Sequence, residues 1–173
     1  MATVPAYLRL AAVIDTVNAV LGKLGALLVL CSTLLVFTVV VLRHGFDSGS
    51  IALQELGVWL HASAFLLAAA WTLQHNGHVR VDVLYQNFNP KQKAWVELLG
   101  SLLFLLPVCC YIIYSSHNYV AASWAVLESS SETGGLPGRF LLKSMIPLAA
   151  TSLILQVVSQ SLRSLSQILK SDE

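Results

Sequence analysis

Residues 54–85 read QELGVWLHASAFLLAAAWTLQHNGHVRVDVLY, a long apolar run followed by a short segment in which polar residues alternate with valines. Residues 56–74 within it contain no Asp, Glu, Lys or Arg. As an α-helix this run would be about 28 Å long, close to the roughly 30 Å thickness of the hydrocarbon core of a bilayer. The run therefore predicts a transmembrane helix.

Three further runs lack charged residues, and together with the first they predict spans at about 24–42, 56–74, 98–120 and 144–162. The third charge-free run continues to residue 127, longer than a bilayer requires, so we expect a kink at Pro107 and emergence of the helix near Ala121. The composition is 56% hydrophobic and 11% charged, whereas a soluble domain has about 25% charged residues. The fold class is therefore an all-α membrane protein with a four-helix transmembrane domain at 24–162.

Residues 7–23 place apolar and polar side chains on opposite faces of a helix. The pattern is typical of an amphipathic helix that lies at the cytoplasmic membrane interface. The alternative is a cytoplasmic extension of the first span. The apolar face contains Leu10, Val13, Ile14, Val17, Leu21 and Leu24, and the polar face contains Arg9, Asp15, Thr16, Asn18 and Lys23.

The distribution of Lys and Arg between the connections predicts the orientation of the spans. Seven lie in residues 1–23, in the second-to-third connection and in the tail at 163–173, against three in the other two connections. Because cytoplasmic loops are richer in Lys and Arg, both termini are expected in the cytoplasm. The connections at 43–55 and 128–143 would then face outward.

Several functional classes do not fit this chain. The formal net charge is +1 and Lys and Arg do not cluster, so a nucleic-acid partner is not expected. The sequence has no phosphate-binding loop, no dinucleotide fingerprint and no metal-ligand motif, and we expect no enzyme activity, cofactor or metal. The predicted spans contain no acidic residue, although proton and ion pathways often use intramembrane carboxylates. Four helices that contact membrane lipids and carry no such site favour an accessory subunit.

Two features flank the second predicted span. Beyond its end, His78, Arg80 and Asp82 alternate with valines, so in an extended chain these three side chains would share one side. This segment is either a docking surface for a partner or an ordinary positively charged loop. Trp59 and Trp71 lie near the two ends of the span, as aromatic anchors at the membrane interfaces do.

Several motifs occur in a characteristic order between about residues 20 and 160. The most specific is GHVRVDVL at residues 77–84, directly after an apolar helix. In this combination the chain resembles the DctQ-like small membrane subunit of tripartite ATP-independent periplasmic (TRAP) transporters. One departure is that Glu55 alone stands where the family often has an aromatic residue and two acids. The other matching residues are Arg43, Leu136, Pro137, Lys143 and Pro147.

The resemblance implies a bacterial inner-membrane subunit with two protein partners, a large membrane subunit and a periplasmic substrate-binding protein. The large subunit would couple uptake of an organic acid to a sodium gradient, and the small subunit would be a static scaffold. On this interpretation the residues for partner docking or structural support are His78, Arg80, Asp82, Arg43, Glu55, Pro137 and Lys143.

Two other functional classes remain open from the sequence. A membrane anchor or cytochrome b-like subunit of a redox complex could bind haem through His61 and His117, which would both lie in the outer half of the bilayer. A small transporter or channel could instead form by self-assembly, although polar residues in helix bundles more often make interhelical hydrogen bonds. Its path would be lined by Ser63, Thr72, Ser115, Asn118 and Gln156.

Overall fold

The computed structural model describes residues 5–78 and 85–170, and these contain four long helices and no strand. The helices are α1 (Ala6–Gly45), α2 (Ile51–Gln74), α3 (Pro90–Ala125) and α4 (Arg139–Lys170). Each is long and apolar enough to cross a membrane. The predicted all-α fold class with four apolar helices is therefore confirmed. Each predicted span lies inside one of these helices; α1, α3 and α4 extend beyond it at both ends, whereas α2 extends beyond it only at its start.

The helix α4 is the centre of the fold and packs against each of the other three helices. The helices α1 and α2 also pack tightly against each other. Small residues permit this close approach, which is typical of helix contacts in membranes. A Cβ atom added to Gly22 would lie 2.3 Å from Cγ of Trp71, and the Ser32 hydroxyl donates to the backbone oxygen of Gly57 at 2.9 Å.

Local sequence signals account for several helix ends. Asn89 caps α3: its side chain accepts from the Gln92 N–H at 2.8 Å, and the Gln92 side chain accepts from the Asn89 N–H at 3.0 Å. Pro90 occupies the first turn, where a missing N–H has no consequence. Leu127, after α3, has a φ of 44°, and the Glu128 N–H after it donates to the carbonyl of Ser123 at 3.0 Å. This is a Schellman arrangement, which turns the chain away from the helix axis.

The third helix contains one irregular turn. Ser101–Leu105 form a π-helical turn, closed by a bond from the Leu106 N–H to the Ser101 carbonyl. The turn ends two residues before Pro107, which cannot donate a backbone hydrogen bond. The irregularity thus comes just before the proline at which the sequence predicts a kink, and α3 then continues to Ala125.

The structure corrects the prediction of a separate N-terminal helix. Residues 6–23 form the first half of α1 and continue into the predicted first span without a break. This continuity agrees with the alternative interpretation, in which the segment is an extension of the first span. The predicted faces also do not match the buried and exposed sides of α1: Asn18 of the polar face is fully buried, whereas Val13 and Val17 of the apolar face are 61% and 46% exposed. The reason is that Asp15 and Asn18 find hydrogen-bond partners on α4.

Candidate functional site

The loop at residues 128–138, in the connection between α3 and α4, is held against the start of α2 by Glu55. The Glu55 carboxylate accepts from the Leu136 N–H at 2.7 Å and from the Ser130 hydroxyl. The loop is also closed on itself, because the Ser130 N–H donates to the Leu136 carbonyl at 3.0 Å. A side chain at Gly135 would force the loop to shift, since an added Cβ would lie 2.5 Å from Ser130 Cβ.

A second carboxylate fixes the start of the same loop. Glu128 forms an ion pair with Lys143 of α4 and accepts from the Ser123 hydroxyl of α3 at 2.6 Å. The Lys143 ammonium, followed by the Ser123 hydroxyl, lowers the pKa of the Glu128 carboxyl. Lys143 also lies 4.0 Å from the ring centroid of Tyr119, a cation–π contact. We call Glu55, Glu128, Ser130, Leu136 and Lys143 the loop cluster.

Aromatic side chains join α3 to α4 beside the loop cluster. The Trp124 indole N–H donates to the Ser144 hydroxyl at 2.8 Å, and the Trp124 ring centroid lies 4.5 Å from that of Phe140. These contacts, like the Glu128 and Lys143 pair, span the two ends of one connection. They hold the loop in a defined shape at this end of the molecule.

A second set of polar side chains lies at the opposite end, between α1 and α4. Asp15 accepts from Ser159 Oγ at 2.7 Å and from Gln156 Nε2 at 3.1 Å, and it forms an ion pair with Arg163. The Asn18 side-chain amide donates to Gln156 Oε1 at 2.7 Å. We call these five residues the helix network. Asn18 and Gln156 are only 0% and 3% exposed, so their hydrogen bonds fasten one helix to the other.

A polar cavity of about 370 Å³ opens beside the helix network. Asp15 and Arg163 form part of its wall, and Glu97 of α3 lies on another side. Two lining side chains, Gln74 and Gln160, each have a buried Oε1 atom with no hydrogen-bond partner. Across the described ranges, no three His, Cys, Asp or Glu side chains come together as a metal site.

The structure brings some of the sequence-predicted site residues together and leaves others apart. Glu55 and Lys143 belong to the loop cluster, and Pro137 is an exposed member of the same loop. Arg43 is not a member of the cluster and lines a groove of about 710 Å³ at the end of α1. His78 is exposed near the opposite end of the molecule, after α2, whereas the predictions for Arg80 and Asp82 fall outside the described residues.

The two predicted tryptophan anchors differ in their surroundings. Trp71 packs over Gly22 of α1, and its ring centroid lies 4.3 Å from that of His75. It is therefore an interhelical contact as well as a candidate anchor. Trp59 is half-buried and lines a groove of about 410 Å³ near the loop cluster, together with Glu132 and Arg139.

The geometry does not favour either alternative function. His61 and His117 are both exposed, and in the part of the chain that the structure describes α2 and α3 share no extended interface. Of the residues considered for a transport path, Thr72 donates to its own helix at Ala68. Ser115 likewise donates to Ile112. These hydroxyls satisfy their own helices.

Some structural residues were not identified from the sequence. Glu128 and Ser130 in the loop, and Asp15 and Ser159 in the helix network, all make contacts between elements. Glu128 could have been paired with Lys143, because the two are opposite charges at the two ends of one connection. Ser130 gave no such signal, since SSSETGG offers several equivalent hydroxyls.

Comparison with known proteins identifies relatives of this chain. A family model described as "Tripartite ATP-independent periplasmic transporters, DctQ component" matches residues 32–167. A protein of Haemophilus influenzae described as a TRAP transporter small permease protein is 30% identical over 125 residues, which are 70% of this chain and 73% of that protein. No solved structure gave a significant match.

Proposed function

Because the chain belongs to the DctQ family of TRAP transporter small subunits, we propose that it is a static scaffold that moves no substrate itself. It is a component of a transporter and not an enzyme. Its large partner would carry the substrate, an organic acid, in a sodium-coupled uptake that receives the acid from a periplasmic binding protein. The site of action would be the bacterial inner membrane.

The helix network is the observation that carries the scaffold proposal. Asp15 is an ionisable residue between two helices. Its carboxylate already accepts hydrogen bonds from Ser159 and Gln156 and forms an ion pair with Arg163. A substrate or coupling ion would have to displace these partners. Moreover, the structure has no pair of helices broken in mid-span, the usual construction of a transporter's binding site, in the residues it describes.

The proposed orientation places the loop cluster outside and both termini in the cytoplasm. It is supported by the excess of Lys and Arg in the terminal segments and the second-to-third connection. The loop at 128–138 would then face the binding protein, with Pro137 exposed on it. Trp59 and Trp71 would anchor the two ends of the second span at the membrane interfaces.

Labelling with a thiol reagent that cannot cross the membrane tests this orientation. Cys31, Cys109 and Cys110 are first replaced. We expect Ser131→Cys to be labelled from outside and Gln86→Cys to be labelled only after the cells are opened. The reverse pattern would contradict the topology.

We further propose that His78, Arg80 and Asp82 help to dock the large membrane subunit on the cytoplasmic side. An exposed ion pair is worth only about 0–1 kcal/mol, whereas loss of one partner from a buried pair costs on the order of 3–5 kcal/mol. If docking buries the pair of Arg80 and Asp82, co-purification of the large subunit should fall in Arg80→Ala. It should rise again in part in the double variant Arg80→Asp/Asp82→Arg, which restores the pair. Full recovery with both variants would assign the segment to an ordinary loop.

Co-purification tests the proposed function itself. The tagged wild-type chain should retain the large membrane subunit through extraction with a mild detergent. An absorption spectrum of the same preparation should show no haem band. A preparation that contains haem, or that lacks the large subunit at every detergent condition, would contradict the scaffold proposal.

A further inference from the structure

One face of α1 is apolar and exposed along most of the helix. Its side chains recur every three and four residues in turn, the seven-residue repeat of helices that pack lengthwise on another helix. Val13 is 61% exposed, Val20 59% and Leu34 58%. Cys31 and Thr38, also exposed, complete the repeat. We call this face the α1 stripe: Leu10, Val13, Val17, Val20, Leu24, Leu27, Leu34 and Val41.

The stripe points away from the helices that α1 contacts. The buried side of α1 in this half carries Ala11, Ile14, Asn18, Gly22 and Gly25. These residues face α4 and α2, through contacts such as the one from Ser159 to the Ala11 carbonyl at 3.2 Å. No part of the chain that the structure describes covers the stripe, since all of its members remain exposed.

The length of the stripe exceeds what a bilayer can cover. Leu10 and Val41 are separated by 31 residues along a continuous helix, which is about 46 Å at 1.5 Å per residue. The hydrocarbon core is about 30 Å thick. Lipid tails alone would therefore cover the whole stripe only if α1 were tilted by roughly 50° from the bilayer normal. Membrane helices are tilted by about 0–40°.

The end of the stripe near the N-terminus is the part that lies outside the hydrocarbon. Leu10 and Val13 precede the predicted span at 24–42. The contacts of α1 with α2 lead to the same conclusion. Gly22 lies against Trp71, and the predicted span of α2 ends just after Trp71, at residue 74. Gly22 is therefore at the level of the cytoplasmic edge of the hydrocarbon core. Val13 is then about 9 residues from this level, or roughly 13 Å along the helix. Apolar side chains at this depth need a protein partner.

The same end of α1 has a shape and charges that suit a second helix. Val13, Val17 and Val20, with Thr16 and Leu21, line an apolar groove of about 380 Å³. Arg9 and Lys23, both exposed, lie two seven-residue repeats apart and flank the stripe on one side. In paired helices, charges at such flanking positions select partners of opposite charge.

We propose that the α1 stripe docks an apolar helix of the large membrane subunit, one that carries acidic residues opposite Arg9 and Lys23. This inference rests on the proposed function, because it needs the large subunit as a partner. The stripe gives the small subunit a continuous contact that begins on the cytoplasmic side and continues into the membrane.

Two matched substitutions on one helical turn test the stripe. Val13→Glu places a charge in the stripe, and Ala12→Glu places the same charge on an exposed position beside it. We expect Val13→Glu to lower recovery of the large subunit at least about tenfold relative to Ala12→Glu, because docking would bury the new charge without a partner. Both variants should unfold at the same temperature as the wild type, because neither side chain is buried.

Photo-crosslinking in the intact complex gives a second readout that does not depend on assembly of a charged variant. A photoreactive amino acid at Val13, Val17 or Val20 should crosslink to the large subunit. The same amino acid at Ala12 or Ala26, both exposed and off the stripe, should give far less product. Equal crosslinking at all positions would overturn the proposal.

The outcomes separate this inference from the proposed function. If the wild-type chain fails to retain the large subunit, the proposed function itself fails. If the wild-type complex is intact but Val13→Glu behaves like Ala12→Glu, only the stripe is wrong. Crosslinks from Val13 to a second copy of this chain, or no crosslink because lipid covers the stripe, would also overturn the proposal.

Discussion

The two ends of the molecule use polar side chains for different purposes. At one end, the carboxylates of Glu55 and Glu128 hold a loop of irregular backbone in place. At the other, Asn18 and Gln156 link two regular helices whose own backbone bonds are already complete. The loop cluster therefore determines the shape of a surface, whereas the helix network determines how α1 lies along α4.

The burial of the two sets differs in the same way. The side chains of Lys143 and Glu128 retain 14% and 28% of their exposure, but Asn18 has none. Unpaired polar groups are more costly where water cannot reach them. We therefore expect changes in the helix network to affect the stability of the whole chain, and changes in the loop cluster to affect the loop.

The largest effect is expected in the helix network. Asn18→Leu removes the donor to Gln156 Oε1, which is buried, and should lower the free energy of unfolding by about 1–3 kcal/mol. The double variant Asn18→Leu/Gln156→Leu should cost less than the sum of the two single variants, because neither partner is then left unpaired. Unfolding of the purified protein by SDS in mixed micelles measures the free energies of unfolding of the single and double variants. Strict additivity would show that the two side chains are not coupled.

A smaller and local effect is expected from Glu55. Glu55→Ala removes the acceptor of the Leu136 N–H, and one such bond contributes about 1 kcal/mol. Exchange of the Leu136 amide hydrogen should therefore become roughly fivefold faster, with little change in the exchange of α4. Gln54→Ala changes the neighbouring exposed residue and is the control. A loop that exchanges at the wild-type rate would show that Glu55 does not hold it.

The smallest effect is a pH dependence of the loop. Because the Glu128 carboxyl has a pKa below its usual value, its pairing with Lys143 stabilises the folded loop fully above the pKa of an unfolded Glu. This stabilisation is lost as pH falls through the lowered pKa of the folded state. Protease cleavage within residues 129–137 should thus be constant from neutral pH to about pH 5 and rise in stronger acid.

Glu128→Gln provides the control for the pH experiment. The amide does not titrate, so the variant should be cleaved faster than the wild type at neutral pH. Its cleavage, corrected for protease activity at each pH, should change less in acid than that of the wild type. Identical profiles for the two proteins would assign the acid response to another group.

The sequence predicted the four helices because charge-free runs of membrane length are a strong and local signal. It also placed Glu55, Pro137 and Lys143 among the candidate residues, and the structure brings them to one loop. The inward turn of Asp15 and Asn18 could not be predicted, because an amphipathic pattern shows only that the two faces differ. Which face is buried depends on Gln156 and Ser159, more than 130 residues away.

The packing order of the helices was also beyond the sequence. The helices α2 and α3 follow one another along the chain, but α4 takes the central place, and in the described residues α2 and α3 share no extended interface. Four apolar helices can pack in several orders with similar burial. The choice among them depends on close contacts such as that of Gly25 with Ala64, which no local pattern specifies.

Uptake into proteoliposomes tests the scaffold account most directly. Vesicles with a sodium gradient would contain this subunit alone, the large membrane subunit alone, or both, with the periplasmic binding protein and its labelled acid outside. We expect full uptake only with both membrane subunits and none with this subunit alone. Accumulation of the acid in vesicles that contain only this subunit would contradict it.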